Sequence, residues 1–115
     1  MIMVQSTFQL SPQTRAEALE LMRNMVPLCR EEYGCLSYEY FEGLTDNTEV
    51  VLLQEWESAD CLQGHYQTQH MADFLTELGK YLESEVVTRS YASPEEAAVS
   101  SAASDDLPKP EQTIH

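Results

Sequence analysis

An α+β fold with the element order β-α-β-β-α-β is what this 115-residue chain predicts, and three observations predict it. The first ten residues alternate apolar and polar side chains, the period of a strand. Two later segments carry apolar residues at spacings of three and four, the period of a helix with one buried side. Between them lies Val50-Val51-Leu52-Leu53, apolar on both faces, as expected of a central strand.

Taken in order, Ile2, Val4, Phe8 and Leu10 alternate with Met3, Gln5, Thr7 and Gln9, which gives a first strand with one strongly apolar face. Ser11-Pro12 reads as a helix start, a capping hydroxyl followed by proline at the first helical position. Leu19, Met22, Val26 and Cys29 form the buried stripe of that helix. Pro27 falls inside it without an N–H to donate, so a kink or tightened last turns are expected there. Gly34 stops the helix. The second strand runs from Cys35 to Phe41 with Leu36, Tyr38 and Tyr40 on one face. Gly43 to Asn47 supplies turn residues, and Glu49 to Glu57 is the third strand. Ser58 can cap a short helix through Leu62. The main second helix carries Met71, Phe74, Leu75, Leu78 and Leu82 as its stripe, and Val86-Val87 begin a last strand ending near Tyr91. The order is ferredoxin-like.

After Ala92 the composition shifts to Ala, Ser, Pro and acid, with few large apolar groups. Such a segment cannot offset its own ordering entropy, so residues 1–92 are expected to form one domain and 93–115 a disordered acidic tail. The chain carries a formal charge of −14. In the tail Glu95, Glu96, Asp105, Asp106 and Glu111 face only Lys109, which leaves −10 on residues 1–92. Charge of that sign repels phosphate backbones and anionic lipid, arguing against nucleic-acid and membrane-surface roles. No apolar run is long enough to span a bilayer and no secretory leader is visible, so a cytoplasmic location is the expectation. Cys29, Cys35 and Cys61 give an odd count without a C-x-x-C pair, which argues against a disulfide framework and a structural zinc site.

Two stretches concentrate chemistry. Glu32-Tyr33-Gly34-Cys35-Leu36-Ser37-Tyr38 is a helix stop running into a strand, and Leu52-Leu53-Gln54-Glu55-Trp56 is followed at helical distance by His65, His70 and Phe74. Together they resemble the antibiotic-biosynthesis-monooxygenase domain family, whose pattern reads Glu-x-Gly-Cys-x-x-Tyr, then Glu-x-Trp, then a pair of histidines with an aromatic. The likeness covers roughly residues 1–92. Relatives often have proline before the second histidine and an aromatic after it, where this chain has Gln69-His70-Met71-Ala72-Asp73-Phe74.

The resemblance implies a dimeric α+β barrel and a cofactor-independent monooxygenase that oxidises a quinol or polyphenol with molecular oxygen. It places Trp56 at the substrate cavity, although an ordinary core role is the plainer reading of a buried indole. Glu55 lies on the opposite strand face from Trp56 and reads as a pairing or dimer-contact carboxylate. Tyr38 and Tyr40, facing the helices, would add hydroxyls to an apolar pocket, with Phe74 as a further wall. His65 and His70 are five residues apart, about 140° on one continuous helix, so they are not a helical metal pair. With no third ligand nearby, no metal is expected. His70, one turn before Phe74, is the favoured base, with His65 second; the plainer reading for either is a helix-end histidine bonded to backbone. No phosphate loop is visible and the chain is short for a nucleotide fold, so no cofactor is expected. Gln5 stands where heme-degrading relatives have asparagine, and His65 where they have tryptophan, which argues against heme breakdown. The alternatives are a non-enzymatic small-molecule-binding or stress-associated dimer and an isomerase of a small sugar-like compound.

Overall fold

The computed structural model describes residues 1–94. Strand β1 (Ile2–Gln9) leads through a 3-10 turn (Pro12–Thr14) into α1 (Arg15–Arg30), followed by β2 (Cys35–Glu42), β3 (Glu49–Trp56), α2 (Ala59–Tyr66), α3 (Gln69–Leu78), a second 3-10 turn (Gly79–Tyr81) and β4 (Val87–Ala92). All strand pairs are antiparallel, in the order β2-β3-β1-β4. This is the expected ferredoxin-like order, with one helix split in two. Among the described residues no helix is long and apolar enough to cross a membrane. The tail expected from residue 93 lies outside the described residues beyond Pro94. Ser93 itself is held to the sheet, its N–H donating to Met1 O at 2.9 Å.

One sheet face is covered by the helices. Phe8, Val50, Leu52, Tyr38 and Trp56 pack there against Met22, Met25, Cys29, Met71, Phe74 and Leu78. Val51 and Leu53 point to the other face and stay half-buried, as the two-sided run predicts. The buried stripe of α1 is Ala18, Met22, Met25 and Cys29, with Leu19 and Val26 only flanking it. The helix continues through Pro27, and its end tightens: Glu32 N bonds Cys29 O at 3.1 Å, three residues back. Proline removes a donor there, and the tighter bonds beyond it occupy carbonyls at the terminus.

Four local expectations are corrected. Leu36 does not share the buried face of Tyr38, because the register shifts between Cys35 and Ser37 and a bulge leaves Leu36 half-exposed. Ser11 precedes Pro12 as expected, but its hydroxyl donates to Gln13 Oε1 rather than capping a backbone N–H. Leu75 is exposed, since α3 turns Met71, Phe74 and Leu78 inward instead. Leu82 lies beyond the helix and makes an isolated bridge to Leu10.

Candidate functional site

The chain turns twice to build one cluster. Gly34 adopts φ +83°, a left-handed conformation that costs glycine nothing, and swings the chain from α1 into β2. Its carbonyl accepts from Glu57 N at 2.8 Å, which ties the helix stop to the end of β3. There the last residue of β3, Trp56, is fully buried and donates its indole N–H to Gln54 Oε1 at 2.8 Å.

The second turn separates α2 from α3. Ser58 caps α2 by accepting from Cys61 N, and Thr68 caps α3 by accepting from Met71 N. The first helix is therefore longer than expected, reaching Tyr66, and the next starts afresh at Gln69. His65 ends one helix and His70 begins the other. The 140° separation of a continuous helix no longer applies.

Both imidazoles meet on Glu32. His65 Nδ1 lies 3.0 Å from Oε1 and 3.0 Å from Oε2, and His70 Nε2 lies 2.6 Å from Oε2. A carboxylate only accepts, so the bonded nitrogens carry the protons. That leaves His65 Nε2 and His70 Nδ1 with free lone pairs. The two histidines differ in access, for the His70 side chain is 29% exposed and that of His65 is 0%. Burial holds His65 below the usual imidazole range, with Glu32 opposing that shift.

Aromatic rings surround His65. Trp56 lies 4.7 Å away between centroids, Tyr66 5.3 Å and Tyr38 5.8 Å, and Tyr40 stands edge-on to Tyr38 at 6.0 Å. Tyr38 Oη, Tyr40 Oη and His65 Nε2 are buried with no hydrogen-bond partner among the described residues. Burial raises both phenols well above their ordinary range, so both stay protonated. Cys29, expected to be a small core hydrophobe, is fully buried and its thiol is pushed up to about 12 by burial, with Glu32 adding to the shift.

Tyr40 also lines a groove of about 230 Å³ between α1 and β2, whose other walls include Leu19, Met22, Arg23, Val26 and Val50. Phe74 belongs to the core stripe of α3. Glu55 accepts from Ser37 Oγ at 2.8 Å on the helix-free face, away from Trp56. The residue missed in the sequence is Glu32. It stood in view inside the helix-stop motif, but it lies 33 and 38 positions from the histidines it bridges. The expectation that no third ligand lies near the histidines is also corrected, because the end of α1 brings Cys29 and Glu32 to His70.

Fold and cluster together define a small ferredoxin-like α+β protein with a carboxylate-bridged histidine pair at one end of its central strands. The family model described as antibiotic biosynthesis monooxygenase matches residues 1–77, and the chain belongs to that family. It is 30% identical over 82 residues to YcnE of Bacillus subtilis, which bears a provisional monooxygenase name; the match covers 71% of this chain and 85% of that one. Rv0793 of Mycobacterium tuberculosis, named in the same way, is 28% identical over 84% of this chain and 95% of its own. The solved structure of Rv0793 superposes with a TM-score of 0.77 at 27% identity, over 84% of this chain and 97% of that one. An uncharacterised protein of Synechocystis, sll1783, is 26% identical over 64% of this chain, and the match spans only 50% of that relative's length.

Proposed function

We propose that this protein is a cofactor-independent monooxygenase that oxidises a quinol or polyphenol with molecular oxygen, with His70 as the base. The observation that carries the reading is the 2.6 Å contact between His70 Nε2 and Glu32. A carboxylate bonded to one imidazole nitrogen fixes the tautomer, leaves the other nitrogen's lone pair free to take a proton and stabilises the imidazolium so formed. His70 is the partly exposed member of the pair, so a phenol can reach it.

Once deprotonated, an electron-rich phenolate reduces oxygen itself. One oxygen atom enters the ring and the other leaves as water, and the substrate supplies all the electrons. The protein's part is to remove the proton, exclude water and stabilise the anion. The unpartnered hydroxyls of Tyr38 and Tyr40 are donors suited to a substrate oxygen. The groove that Tyr40 lines has room for a single small ring.

Oxygen uptake by the pure protein over a panel of quinols tests the reading. Uptake above the autoxidation rate is expected, and His70→Ala should lower it by roughly 10²-fold. Glu32→Gln keeps the shape of the side chain but removes its charge, and should lower turnover in the same direction. No uptake across the panel would favour the non-enzymatic binding role instead. Full activity in His70→Ala with none in His65→Ala would move the base to His65.

A further inference from the structure

We propose that Cys29, Glu32 and His70 form a binding site for a thiophilic divalent cation, zinc foremost. The ligand atoms of these three side chains all lie within 4.8 Å of one another. Zinc holds nitrogen, oxygen and sulfur ligands at about 2.0–2.3 Å, which in a tetrahedron places them roughly 3.3–3.8 Å apart. To reach that arrangement the 2.6 Å contact between His70 Nε2 and Glu32 Oε2 opens and the wider separations close.

Chemistry selects the ion. A thiolate, an imidazole and a carboxylate suit zinc, whereas magnesium and calcium take all-oxygen shells. Charge favours it as well. A Cys29 thiolate and the Glu32 carboxylate cancel a divalent charge, so no net charge is buried among the core residues around Cys29. The cation itself displaces the thiol proton, as coordination does for any ligating cysteine.

The site also has support behind it. His65 Nδ1 lies 3.0 Å from both oxygens of Glu32, and Trp56 packs on the His65 ring. Outer contacts of this kind orient a metal-binding carboxylate. Cys29 and Glu32 are three residues apart at the end of α1, and His70 enters from the first turn of α3, so only the folded chain assembles the set. On the proposed reaction the ion would engage the base and its carboxylate, and zinc would switch turnover off. Binding itself does not depend on that reading.

The test uses the full chain, stripped with chelator and titrated with cobalt. A thiolate-to-cobalt charge-transfer band in the near ultraviolet is expected, together with visible bands of a four-coordinate ion, both displaced by zinc. Cys29→Ser should abolish the near-ultraviolet band, and Cys61→Ser should keep it. His70→Ala, which removes a partly exposed ligand without opening the core, should weaken cobalt binding at least tenfold. Absence of a thiolate band in the wild-type protein overturns the site. So does a band that survives Cys29→Ser, or cobalt affinity unchanged in His70→Ala. A protein that consumes oxygen yet gives no band loses the metal site and keeps the reaction, and the opposite pair of results does the reverse.

Discussion

No side chain fits at Gly34 unless Cys61 moves. A Cβ there would lie 2.3 Å from Cys61 Sγ and 2.6 Å from Cys61 Cβ, and the φ of +83° is itself strained for any other residue. Gly34→Ala should therefore lower stability by about 1–3 kcal/mol. In a domain of this size each kcal/mol moves the midpoint roughly 4–8 °C, so a thermal melt followed by circular dichroism reads the effect directly. An unchanged midpoint would mean that the α1–β2 turn relaxes freely. The residue scale is also where the sequence hid most. Trp56, Tyr38 and His70 stand out by type and spacing, whereas Glu32 is one carboxylate among 20 acidic residues. Its role comes from where α1 stops relative to α3, and no local pattern encodes that distance.

At the scale of elements, the first strand was legible from its alternation and the third from an apolar run on both faces. Ile2, Val4 and Phe8 face the helices, and so do Val50, Leu52 and Trp56. Two helical pieces were expected after β3, but the first was expected to end at Leu62, not at Tyr66. Gln67-Thr68 interrupts the helix because the Thr68 side chain starts a new one, and the histidines then converge instead of diverging. The bulge at Cys35 was hidden: one extra residue changes the phase of a strand without changing its composition. Thr68→Ala should cost about 1 kcal/mol by removing the cap. It should also lower turnover more than its stability loss explains, since the cap sets where His70 starts. Melting and oxygen uptake on the same sample check both, and full activity alongside the stability loss would show that the cap does not position His70.

At the scale of the whole molecule, the helices among the described residues cover only one face of the sheet. Val51 and Leu53 remain half-buried there, and Phe41, opposite Val51 in the register, is half-exposed. An exposed apolar face commonly belongs to an interface, and we propose that this one does. A homodimer packing two such faces is the expected state, and the family resemblance pointed the same way. Light scattering at micromolar concentration should return twice the chain mass. A mass of one chain would refute the dimer, and Leu53→Glu should produce it if the face is the contact.

The strand order has a consequence in time. β1 is made before both of its neighbours, for it sits between β3 and β4. Thr7 pairs with Val51 on one side and with Val87 on the other. At a synthesis rate of about 5–20 residues per second, Val87 follows Thr7 by roughly 4–16 s. For that interval the nascent chain carries Val4 and Phe8 on a strand whose second edge has no partner. Such an edge is a template for pairing with other chains, so the protein is most exposed to misassembly while it is being made.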